Sequence, residues 1–148
     1  MKTLHRFLRL PPAERRLLVR VSLLLVATRL GLSLLPFQTL RCILAKVSVA
    51  NVRLKRTDHS SAAKAIWAVK VAACYMPGAG TCLAQALTAQ SLLARRGRPA
   101  TVHIGVVKGE KGELQAHAWL ESQGDIVVGS SELERYTPLV AIEKNSQR

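Results

Sequence analysis

Residues 81–97 read TCLAQALTAQSLLARRG, and the character of the chain changes directly after them. Thr81 is a credible N-cap, Cys82 to Ala94 are good helix formers, and Gly97 follows the basic pair Arg95-Arg96 as a C-terminal stop. Beyond Pro99 the periodicity falls from helical to two: strands are expected over about 100–107, 114–121 and 126–129, separated by the turn sequences KGEKGE and SQGD. Helices first and an antiparallel meander second predict an α+β domain.

Upstream, the run YMPGAG at 75–80 removes helix donors and loosens the backbone, so a third helix over about 62–74 must end before it. The segment 51–61, NVRLKRTDHSS, reads as a linker that closes on Asp58, Ser60 and Ser61 as potential caps. A second helix is expected over 38–49, and a first over 12–34 that enters through Pro11-Pro12 and stops at Pro36. Leu17, Leu18, Val21, Leu24, Leu25 and Thr28 recur at helical spacing, which favours a helix packed on its neighbours, with peripheral membrane contact as the other reading. Arg20 and Arg29 interrupt the apolar run 17–37, so it is expected to fall short of a membrane span, and it does not read as a cleavable signal. Residues 1–60 are thus a basic, leucine-rich helical region and 61–148 a mixed core, together one compact unit that ends in a frayed EKNSQR tail.

The chain of 148 residues suits one domain, and with aromatics at only 4% its core must be built from Leu, Val, Ile and Ala. Residues 1–60 hold 12 basic and 2 acidic residues against 10 and 7 in 61–148, so most of the net charge of +13 lies in the first part. Such a field attracts anionic partners. Stacking aromatics interleaved with the basic residues are missing, so no nucleic acid is expected. Three cysteines cannot all pair and none lie in a C-x-x-C spacing, which points to a reducing, cytoplasmic setting. Cys74, Cys82, His103 and His117 match no compact ligand spacing, so neither a metal nor another cofactor is expected.

A cysteine in the first turn of a helix meets unpaired backbone amides and the positive end of the helix dipole, both of which stabilise negative charge on sulfur. Cys82 is therefore the candidate nucleophile, while Cys42 and Cys74, in apolar helical stretches, are expected to be buried and inert. TCLAQALTAQSLLARRG, a strand carrying IGVV and then AHAWLE on the next strand together resemble the transglutaminase-like (papain-like) cysteine peptidases. They are most similar to the B2 proteins of lasso-peptide biosynthesis, which also share leucine-rich N-terminal helices like RLPPAERRLL.

The resemblance implies Cys82 as nucleophile and His117 as its general base, meeting across a helix and a sheet. The family's aspartate, about a dozen residues after the histidine, is replaced here by Gly129 followed by Ser130. A turn centred on 123–124 would pair 122 with 125 and 117 with 130, so Ser130 is a candidate to orient His117, and Asp125, the only aspartate after Cys82, is another. Alternation puts Trp119 on the face of His117, either walling the substrate site or filling a core. The amide of Cys82 could serve an oxyanion hole. His103 is expected to be structural, and His5 and His59 to titrate on the surface.

The activity implied is removal of the leader from a lasso precursor peptide through an acyl-enzyme. The partners implied are a leader-recognition B1 protein and the ATP-dependent lasso cyclase that uses the freed amine. Two other functions remain open on the sequence: acyl transfer to an amine, and a non-catalytic scaffold that kept the fold without the aspartate.

Overall fold

The computed structural model describes residues 10–49, 59–76, 81–129 and 136–142. Four helices are followed by a four-stranded antiparallel sheet: α1 (Pro12–Leu34), α2 (Phe37–Val49), α3 (His59–Cys74), α4 (Thr81–Arg95), then β1 (Thr101–Lys108), β2 (Leu114–Ser122), β3 (Asp125–Val128) and β4 (Thr137–Ile142). The sheet order is β3-β2-β1-β4.

Helix α4 is the centre of the domain. None of its described side chains, 82–95, is exposed, and Ala84, Ala86, Leu87, Thr88, Ala89, Ser91, Leu92, Leu93 and Ala94 are buried. Alanines at 84, 86 and 89 let α1, α2 and α3 approach on one side and β1 and β2 on the other. Val102, Ala118, Leu120 and Val128 carry the sheet's side of the same core. One buried polar chain crosses the helix layer: Thr88 Oγ1 donates to Thr28 Oγ1 at 3.2 Å, and Thr28 donates on to the Leu24 carbonyl at 2.8 Å. Both hydroxyls are therefore satisfied without water.

Most element ends follow from local chemistry. Pro12 starts α1 with Glu14 in the first turn, and Leu35, forced extended before Pro36 (φ −116°, ψ 149°), returns its N–H to the Gly31 carbonyl at 2.8 Å. Gly97, at φ 69°, stops α4, with Arg98 N–H on the Leu93 carbonyl at 3.0 Å. Beyond that stop, Gln90 Nε2 donates to the Ala100 carbonyl and Ser122 Oγ to the Pro99 carbonyl, both at 2.9 Å, which fixes where β1 leaves the helix.

Three expectations need correction. Helix α3 begins at His59, so Ser60 and Ser61 lie inside it rather than capping it. Ser61 Oγ instead accepts from Arg96 Nε at 2.9 Å, and Arg96 also donates to the Leu92 carbonyl; burial lowers its pKa, and the neighbouring Arg95 lowers it further. Second, the sheet has a fourth strand, β4, paired antiparallel to β1 from Val102↔Ile142 to Val106↔Thr137. Pro138 masks it in the sequence, because proline in a strand is tolerated only where its missing N–H faces no partner. Third, Cys42 and Cys74 are exposed, and the three thiols are free. The caps and tail proposed at Asp58 and 143–148, and His5, lie outside the described residues, as do the side chains of Thr81 and His59.

Because α4 is enclosed on every side, Leu87→Ala should lower the free energy of unfolding by roughly 2–5 kcal/mol in chemical denaturation. The exposed Leu23→Ala should stay within about 0.5 kcal/mol.

Candidate active site

Helix α4 starts at Thr81, one residue earlier than the sequence suggests, which leaves Cys82 in the first turn. Its side chain is half-buried and packs against the edge of the core. His117 lies on β2, the strand α4 packs against most closely, opposite Gly105 of β1. Ala118 and Leu120 enter the core, so alternation gives His117, Trp119 and Glu121 to the other face of the strand. Among the described residues no hydrogen bond joins the Cys82 thiol to the His117 ring. The structure thus puts thiol and imidazole on two elements in mutual contact, with the imidazole on the face of β2 opposite Ala118 and Leu120 and no direct bond between the two groups.

What holds His117 is main chain. Nε2 lies 3.1 Å from the carbonyl oxygen of Gly129. A carbonyl can only accept, so the bond assigns a ring proton to Nε2 and, in the neutral ring, puts the lone pair on Nδ1, which has no hydrogen-bond partner among the described residues. The ring of Tyr136, with its centroid 5.1 Å away and tilted by 33°, packs on the imidazole.

The Gly129 carbonyl reaches His117 because of a bulge. Ser122 pairs with Asp125, as a turn at 123–124 requires, and Gln123 and Gly124 both have positive φ. Between Leu120 and Glu121 the register then slips by one, so Leu120 meets Val128. Extrapolation of the simple register to Ser130 therefore fails, and Ser130 itself lies outside the described residues. Gly129 has φ 79°, and a Cβ there would fall 2.7 Å from the Ala118 carbonyl oxygen and 3.0 Å from Trp119 Cβ. No side chain fits, so the place of the family's aspartate is occupied by a residue that can offer only its carbonyl.

Asp125 does not substitute. It is exposed at the hairpin end opposite Ser122, five residues along β2 from His117, which at strand spacing is roughly 17 Å. Of the two readings left open for Trp119, its surroundings are those of a packing residue: it is only 8% exposed, its ring lies against Gly105 where a Cβ would come within 2.9 Å, and it stacks on His103 with centroids 5.5 Å apart. His103 lies between that ring and Glu121. Its Nε2 is 3.1 Å from Glu121 Oε2 without meeting the geometry of a directed hydrogen bond.

Sequence reasoning missed Tyr136 and the carbonyl of Gly129. The signal for Tyr136 was available, since recognising 137–142 as a strand beside β1 brings Pro138 and His117 to opposite sides of Gly105. A cleft of about 450 Å³ adjoins this ring, lined among others by Lys108, Glu110, Lys111, Glu113, Gln115 and Tyr136. Gln115 shares the strand face of His117, but neither His117 nor Cys82 lines the cleft.

A transglutaminase-like superfamily domain matches residues 22–141, most of the chain. The chain belongs to that superfamily, whose members are often cysteine peptidases or acyltransferases. No curated protein and no solved structure matches it.

Replacing Gly129 by alanine should cost about 1–3 kcal/mol in denaturant unfolding, because a left-handed backbone and a blocked Cβ position act together. It should also shift the His117 ring resonances by NMR; an unchanged midpoint and spectrum would mean that the carbonyl contact is incidental.

Proposed function

We propose that this member of the transglutaminase-like superfamily is a cysteine peptidase that removes the leader from a lasso-peptide precursor, with Cys82 as nucleophile and His117 as general base. The observation that carries the catalytic part is the tethering of His117 through Nε2 to the Gly129 carbonyl, which in the neutral ring leaves Nδ1 as the basic nitrogen, on a strand that packs against the Cys82 helix. The assignment of the substrate rests on the sequence resemblance of 81–97, 117–124 and the N-terminal helices to the B2 proteins.

The chemistry follows from those positions. On substrate binding Nδ1 takes the Cys82 proton and sulfur attacks the carbonyl carbon of the scissile peptide bond. The contact required is one that substrate-free enzymes often hold long and tighten only in the complex. The Cys82 amide, in the first turn of α4, stabilises the oxyanion. The tetrahedral species collapses to a thioester as the imidazolium returns its proton to the departing core amine. Water, deprotonated by the same Nδ1, then releases the leader carboxylate and restores the thiol. The Gly129 carbonyl keeps the ring in the required tautomer throughout, supplying a partial negative charge where a carboxylate would supply a full one.

The leader would be presented by a separate B1-type recognition protein, and the freed core amine used by an ATP-dependent cyclase. A second reading is a non-catalytic scaffold within the same complex. It is favoured by three features of the site: no thiol–imidazole hydrogen bond among the described residues, an imidazole on the face of β2 opposite Ala118 and Leu120, and no carboxylate at the place of the family's aspartate.

With precursor, leader-binding partner and this protein combined, mass spectrometry should show release of leader and core. Cys82→Ala and His117→Ala should each slow it by at least about a thousandfold. If an added amine appears on the leader terminus in place of water, the enzyme is an acyltransferase. If all three proteins behave alike, the scaffold reading replaces the peptidase.

A further inference from the structure

Helix α1 has two apolar faces, and the fold uses one of them. Leu18, Val21, Leu25, Thr28 and Gly31 are buried against the rest of the domain. Val19, Leu23, Val26, Leu30 and Leu34 are exposed, Leu23 at 66% and Leu34 at 78%. At 100° per residue these five fall within a sector of roughly 80° on the side opposite the buried set, a stripe about 22 Å long. Exposed Arg16 and Arg20 adjoin it at its N-terminal end. Five large aliphatics in one unbroken row exceed the scattered apolar residues of an ordinary surface.

We propose that this stripe docks the protein on an anionic membrane, with α1 lying in the interface plane. Length and composition alone would let α1 cross a bilayer, a departure from the sequence reading. The packing argues for lying flat: α1 shares its core face with α3 and α4 and is bonded to α4 through Thr28 and Thr88, so only the outer stripe is available to lipid. An interfacial helix buries one apolar face among acyl chains and keeps arginines at headgroup level, which is the arrangement of Arg16 and Arg20 beside the stripe.

Charge selects the occupant. With net charge +13, and +10 of it in residues 1–60, a second copy of the chain would be repelled, whereas an anionic lipid surface attracts each arginine near it. The stripe also consists only of Val and Leu. Protein interfaces draw most of their affinity from Trp, Tyr and Arg anchors seated in pockets, and this face offers none at its centre. A fluid acyl layer requires no such complementarity.

The test is co-sedimentation of the full chain with vesicles of equal parts phosphatidylglycerol and phosphatidylcholine, and with phosphatidylcholine alone, at low and high salt. Wild type should bind the anionic vesicles at least about tenfold more tightly than the neutral ones, with the difference shrinking in high salt. The double variant Leu23→Ser/Leu30→Ser should lose binding by at least about tenfold while keeping its helical circular dichroism. Arg16→Glu/Arg20→Glu should lose mainly the preference for anionic lipid. Equal sedimentation of wild type and the serine variant, or no sedimentation of wild type, would overturn the proposal. So would a wild-type dimer in light scattering that the serine variant turns into a monomer, since the stripe would then be covered by a second copy.

Discussion

Enclosure of α4 is the constraint on which the rest of the structure depends. Its alanines admit three helices on one side and two strands on the other, and nearly every buried residue outside the helix is buried against it or against something it holds. The same helix presents Cys82 in its first turn, and its C-terminal stop feeds β1 directly, so packing and chemistry share one element. A helix so enclosed cannot rotate or slide without opening the core, which fixes the placement of the thiol relative to β2.

The second half of the site is positioned by backbone rather than by side chains. The bulge in the β2–β3 hairpin carries Gly129 alongside His117, and Trp119, packed over Gly105 and under Gly129, closes the space in which any side chain at 129 would sit. A carbonyl fixed this way needs no ionisable group to hold the imidazole. It gives orientation and tautomer, and less charge than the carboxylate usual in the superfamily. The departure from the family's pattern at 129 thus has a structural counterpart, although the reaction itself rests on the proposal that Cys82 and His117 meet in the complex.

Local chemistry made much of this legible in the sequence. Proline at 36, glycine at 97 and the 123–124 turn end their elements where expected, and the recurrence of Leu18, Val21, Leu25 and Thr28 identified the buried face of α1. What was not legible depended on tertiary partners. β4 is hidden by Pro138 and exists because β1 offers it an edge. The bulge that retires the 117–130 pairing leaves no mark in the hydrophobic alternation. Cys42 and Cys74 lie in apolar helices yet face outward, because α2 and α3 carry apolar residues, Ile43, Val47 and Trp67 among them, that the described parts of the domain leave exposed. Periodicity shows that a face is apolar and does not show whether anything sits on it.

Exposure alone would make Cys42 and Cys74 the reactive thiols, so the decisive measurement must let the substrate choose. The protein, with its leader-binding partner, should be treated with a leader peptide ending in a chloromethyl ketone, and the alkylated cysteine located by peptide mapping. The account predicts a single adduct at Cys82, competed by intact precursor and lost in His117→Ala. Alkylation of Cys42 or Cys74 in its place, or labelling of Cys82 that is indifferent to His117, would contradict it.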